Sequence, residues 1–129
     1  MRPRVRSMLG LAGFAAAALV AACAHLSEPR SYVVFFQKDT TDLTPEGKQV
    51  VLQASAEVAD GHPSHIVVEG RADGGTPHDA TLANDRALVV IRALVDNGAD
   101  AKTIENRPGA PPTGVTGVAA HQVLVTLTP

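Results

Sequence analysis

Between residues 31 and 98 the chain alternates short β-branched runs with longer segments of helical period, and this alternation confines it to a layered architecture of strands and helices. Ser31 to Gln37 (SYVVFFQ) is apolar on both faces, which predicts a strand covered on two sides or lying centrally in a sheet. Leu43-Thr44-Pro45-Glu46 then reads as a helix start, with Thr44 as N-cap, Pro45 at the first helical position and Glu46 near the positive end of the dipole. That helix continues through Val50, Val51, Ala54, Ala56 and Val58 until Gly61 and Pro63 stop it. Ile66 to Val68 form a second strand that ends in Glu69-Gly70-Arg71-Ala72-Asp73, and Gly74-Gly75-Thr76-Pro77 is a loop. From His78 or Asp79 to Asn97, Leu82, Ala83, Ala87, Val90, Ala93 and Leu94 recur at helical spacing, with Asn97-Gly98 as a left-handed C-cap. Thr103 to Arg107 suits a short third strand, Pro108 to Ala120 is irregular with three prolines and three glycines, and His121 to Leu127 alternates as a last strand. The order βαβαββ predicts an α+β two-layer sandwich, without internal repeats.

Composition narrows the function classes. At 129 residues the chain holds one domain. Aromatic residues make up 3% and Trp is absent, which leaves little material for base-stacking platforms or aromatic sugar clefts. Beyond residue 22, eight basic residues face thirteen acidic ones, a balance of −5 with no basic patch for phosphates, so nucleic acid is not an expected partner. One cysteine excludes an internal disulfide and a thiolate-rich metal centre. The five histidines, His25, His62, His65, His78 and His121, show no pair at the spacing of a helix-borne zinc site. No Ser or Cys lies in a nucleophile motif, and no cofactor is implied.

The amino-terminal segment is an address rather than part of the fold. Arg2, Arg4 and Arg6 precede an apolar run from Met8 to Ala22, which is a signal-peptide plan. The run is shorter than the ~20 residues that span a bilayer. Val20-Ala21-Ala22-Cys23 resembles the bacterial lipobox, in which the cysteine is lipidated and becomes the first residue of the mature protein. By that resemblance Cys23 carries a thioether diacylglycerol and an amide-linked acyl chain such as palmitate, and several chains at ~0.8 kcal/mol per buried methylene give nearly permanent anchoring. Ala24, in place of Asp, implies sorting to the outer membrane, facing the periplasm. The expected organisation is therefore a signal peptide over 1–22, a lipidated cysteine and tether over 23–30, and a domain over 31–129. Ala24 to Arg30 is polar, contains Pro29 and reaches about 25 Å when extended at ~3.5 Å per residue.

Three pieces stand in order: VVFFQKDTTDLTPEG (Val33 to Gly47), VVEGRADGGTPHD (Val67 to Asp79) and LANDRA (Leu82 to Ala87). Together they resemble the OmpA-like peptidoglycan-binding domain, where a second strand ends in Val-Glu-Gly-His-Thr-Asp and the next helix contains Leu-Ser-x-x-Arg-Ala. With the lipobox, the whole is similar to small peptidoglycan-associated lipoproteins. The resemblance implies a mixed sheet of strand order 1-4-2-3 with two helices on one face. It also implies a ligand pair, Asp73 and Arg86, for diaminopimelate in the wall's stem peptides.

The chemistry of such a pair is intelligible by itself. The free end of diaminopimelate bears an ammonium and a carboxylate on one carbon: Asp accepts from the ammonium, and Arg forks onto the carboxylate. Gly74 and Gly75 let backbone approach a ligand closely. The helix start near His78 or Asp79 offers N–H groups to an anion, for which the Asp79 side chain competes. Arg71 and Ala72 stand where the family has His and Thr, and His121-Gln122 where it generally has an Asn-Arg-Arg run. Arg71 either restores positive charge beside the ligand or neutralises Asp73. From the residues alone, a further alternative is that Asp73 caps a turn and Arg86 forms a solvated ion pair with Asp85, Glu69 or Asp79.

The expected function is non-covalent binding of peptidoglycan, linking membrane to wall. Two other readings stay open: a diverged domain that has lost the ligand and binds envelope proteins, and a small periplasmic enzyme subunit acting on wall fragments.

Overall fold

The computed structural model describes residues 28–72, 74–109 and 120–129. The expected signal segment, Cys23, most of the tether, Asp73 and most of the Pro108 to Ala120 stretch lie outside the described residues. The chain forms β1 (Arg30–Phe35), α1 (Pro45–Gly61), β2 (His65–Gly70), α2 (Pro77–Asp96), β3 (Ile104–Pro108) and β4 (Gln122–Thr128), with a single 3-10 turn at Ala101–Thr103 before β3. The sheet order is β1-β4-β2-β3, antiparallel on both sides of β4 and parallel between β2 and β3. This is the expected mixed α+β arrangement, with α1 against β1, α2 against β2, and the two helices in contact.

Period-2 burial in the strands meets period-3.6 burial in the helices at one core. Val123, Val125 and Leu127 of β4 and Ile66 and Val68 of β2 face Val51, Ala54 and Val58 of α1 and Val90 and Leu94 of α2. Burying each such side chain contributes roughly 1.5–3 kcal/mol.

Three sequence expectations shift. β1 is an edge strand rather than a central one. Its two apolar faces have different uses: Val34 enters the core, while Val33 and Phe35 sit half-buried on the opposite face, in register with Leu124 and Gln122 of β4. Gly61 is still helical, and His62 takes the left-handed turn at φ 43°, with Pro63 barring continuation. Helix α2 begins at Pro77 rather than His78 or Asp79, because Thr76-Pro77 repeats the cap-and-proline device of Thr44-Pro45. The expected Asn97-Gly98 cap closes α2, with the positive φ at Gly98.

Strands β1, β2 and β3 run in one direction and β4 in the other. Their loops therefore gather at one pole, which holds the end of β1, the exit of β2, the start of β4 and the N-termini of both helices. Arg30 and Pro129 mark the opposite pole.

Candidate functional site

The loop pole is organised around Arg86, in the third turn of α2. Two features of the sequence put it there. Arg86 lies on the buried stripe of the helix with Ala87, Val90 and Leu94, and α2 rests directly on the end of β2. A Cβ on Gly70 would fall onto the Ala83 carbonyl oxygen and come within 2.7 Å of its carbon. Only glycine permits that approach.

Arg86 has no exposed surface, the largest fully buried side chain among the described residues. Its Nε donates to the Thr40 carbonyl (2.8 Å), Nη1 to the Arg71 carbonyl (3.1 Å) and Nη2 to the Gln37 carbonyl (3.1 Å). Its Cζ stands 5.6 Å from the centroid of the buried Phe36 ring, in cation–π range. A planar fork of five donors suits this task, since it can hold carbonyls from separate segments at once. The side chain thus ties α2 to the β1–α1 turn and to the exit of β2. Its burial overturns the alternative of a solvated surface ion pair.

The turn it holds is shaped by its own residues. Asp39 adopts φ 57°, a left-handed conformation that Asp tolerates. Gln37 N–H donates to the Asp42 carbonyl, Phe36 pairs with Leu43, and Thr44 Oγ1 accepts from Gly47 N–H while donating to the Phe35 carbonyl. Across the pole, Phe36 N–H donates to the His121 carbonyl and Arg71 N–H to the Gln122 carbonyl, which extends the sheet one residue past each strand.

The remaining predicted residues divide clearly. Arg71 is at the pole: its backbone is held by Gln122 and Arg86, and its Nε is sealed from solvent without a hydrogen-bond partner. Gly74, at φ 94°, turns the chain towards α2, and a Cβ there would strike the Asp79 carboxylate. Asp79 does compete for the helix start, as expected. Its Oδ2 accepts from Gly75 N–H (3.3 Å), Thr76 N–H (3.1 Å) and Thr76 Oγ1 (2.5 Å), while Thr76 Oγ1 accepts from Asp79 N–H (3.2 Å). These bonds, the Thr76 hydroxyl first, hold the Asp79 carboxyl below its ordinary range. The start of α2 is therefore capped from within. Asp73 and Cys23 lie outside the described residues.

A cavity of about 270 Å³ opens between α2 and the end of β3, bordered by Gly70, Ala83, Asn84 and Asn106. Arg86 does not line it. Sequence reasoning passed over this groove, Gln37 and Thr40, since their contributions are backbone carbonyls or a packing gap that no side-chain motif announces. Among the described residues no group of three or more His, Cys, Asp and Glu is placed to hold a metal ion, and no helix is long and apolar enough to cross a membrane.

Comparison with known proteins agrees with this architecture. No curated protein matches the chain. The OmpA-like domain of FopA1 from Francisella tularensis is similar at 18% identity over 77% of this chain and 71% of that one, with a TM-score of 0.67. The peptidoglycan-associated lipoprotein from Burkholderia pseudomallei is 22% identical over 75% of this chain and 88% of that one, with a TM-score of 0.60. The cell wall anchor of the T6SS from Pseudomonas aeruginosa is 14% identical over 78% and 82%, with a TM-score of 0.62. At these identities the likeness is one of fold. The model of the OmpA family matches residues 35–110, which span β1's end, both helices, β2 and β3. This chain belongs to the OmpA family.

Proposed function

We propose that this chain is a periplasm-facing module that grips peptidoglycan stem peptides non-covalently and links the outer membrane to the wall. It catalyses no reaction. The observation that carries the reading is the buried guanidinium of Arg86, fixed at the loop pole by the Gln37, Thr40 and Arg71 carbonyls. Burying a cation costs several kcal/mol, and a site for an anionic group is a use that offsets the cost. Membership of the OmpA family supports it, as does the likeness in fold to proteins named as a peptidoglycan-associated lipoprotein and a cell wall anchor.

In this reading Asp73 accepts from the ammonium of diaminopimelate and Arg86 faces its carboxylate, with Arg71 and Gly74 at the rim. Because Arg86 has no exposed surface, the ligand carboxylate reaches it by displacing at least one of the three carbonyls. The test is retention of the purified protein on isolated sacculi. Asp73→Asn, which keeps shape and removes charge, is expected to weaken retention at least tenfold, on the scale of one charge-assisted hydrogen bond. Failure of the unmodified protein to be retained would overturn the proposal.

One observation favours a second reading. His121 and Gln122 stand where the resemblance implies an Asn-Arg-Arg run, which suits a domain that docks envelope proteins instead. The same assay separates the two, since the second reading predicts no retention on sacculi.

The anchor is a separate part of the proposal: residues 1–22 act as signal peptide, Cys23 is lipidated and residues 24–30 tether the domain. Cys23→Ser is expected to abolish labelling by radioactive fatty acid. Unchanged labelling would show that the acyl chains, if any, sit elsewhere.

A further inference from the structure

Arg71 differs from Arg30 and Arg107 in what surrounds it. Arg30 bonds Glu57 and Arg107 bonds Glu105, whereas Arg71 has no carboxylate partner among the described residues. Its Nε is shut off from solvent with nothing to bond. Burying a polar N–H without a partner carries a penalty of about 1–3 kcal/mol, more for a charged group.

The position is enforced. Arg71 N–H is bound to the Gln122 carbonyl and its own carbonyl to Arg86. A Cβ on Gly109 would sit against the Gly70 carbonyl and 3.3 Å from Arg71 Cγ, so the backbone at 109 presses on the stem of the side chain. Strand alternation fixes the direction. Gly70 turns its Cα towards α2, so the Arg71 side chain leaves from the opposite face. Glu69, two residues earlier, stands in register with Arg107. Arg86 thus bonds the Arg71 carbonyl from the α2 side, while the Arg71 side chain leaves from the opposite face.

We infer that Arg71 is a specificity-determining residue that selects wall peptides carrying a second free carboxylate beside the diaminopimelate terminus. In a stem peptide that group is the α-carboxylate of the preceding glutamyl residue, which the side-chain linkage leaves free and which amidation removes. The inference rests on the wall-peptide reading above and names its ligand more narrowly.

Calorimetric titration of the full-length protein with two synthetic peptides tests it: a diaminopimelate tripeptide with the glutamyl α-carboxylate free, and the same tripeptide with that group as a carboxamide. The free acid is expected to bind about tenfold more tightly, the scale of one charge-assisted pair. Arg71→Gln is expected to erase the difference between the two peptides, and Arg71→Lys to keep part of it. Equal binding of both peptides by the unmodified protein, or a preference that survives Arg71→Gln, would overturn this inference alone. Binding of neither peptide would overturn the wall-peptide reading and this inference together.

Discussion

Arg86→Ala is expected to lower the free energy of unfolding by about 3–5 kcal/mol, measured by urea denaturation of the domain. The loss has two sources. Truncation leaves the carbonyls of Gln37, Thr40 and Arg71 without their donor, and it empties the volume of the largest fully buried side chain. Arg86→Lys distinguishes charge from geometry. An ammonium retains the positive charge but cannot reach three carbonyls that converge from two segments with the reach of a planar fork. The lysine variant is therefore expected to recover less than half of the lost stability. A loss below about 1 kcal/mol for Arg86→Ala, the size of an ordinary surface change, would mean that the guanidinium does not hold the pole together.

Gly70→Ala is expected to cost about 3 kcal/mol or more, at the upper end of what overpacking produces. Here the added methyl meets backbone rather than a flexible side chain: it overlaps the Ala83 carbonyl and comes within 3.3 Å of Ala87 Cβ. Relief requires α2 to lift from the end of β2, and Arg86 lifts with it. The variant is thus expected to lose sacculus retention as well as stability. Gly75→Ala provides the control, since nothing lies within 4 Å of a Cβ there, and its effect is expected to stay within about 0.5 kcal/mol. Thermal unfolding of the two variants side by side checks the contrast.

Much of the fold was legible because its signals are local. Thr44-Pro45-Glu46 announces α1 by chemistry that acts within one turn, and the alternation in Gln122 to Thr128 announces a strand with one buried face. The same logic applied to Thr76-Pro77 locates the start of α2, but the two glycines before it drew those residues into the loop. The edge position of β1 was not legible, since an apolar run on both faces reports partial cover and not neighbours in the sheet. His62 was obscured by Gly61, which holds no special conformation although its type suggested one.

The site was half legible. Aspartate and arginine at their spacing carried the resemblance, yet nothing in a list of polar residues shows whether an arginine is solvated. One clue was present: Arg86 falls three residues after Ala83 and four before Val90, inside the apolar stripe that the helix turns to the core. A charge in that row is one the fold has to enclose. The carbonyls it bonds at Gln37, Thr40 and Arg71 come together only when the β1–α1 turn and the end of β2 meet in space.

The opposition of the two poles has a mechanical consequence. Strand β1 enters at Arg30, opposite Leu127, and runs to Phe35, opposite Gln122, so its six residues are zipped to β4 along the axis that joins the two poles. In the proposed anchored state, tension between Arg30 and a load at the far loops would act parallel to that zipper. Such a pull strains all the inter-strand bonds together instead of peeling them off one by one, and rupture demands that the whole row slide at once. A small edge strand with this orientation suits the domain to bear load along the axis between its poles.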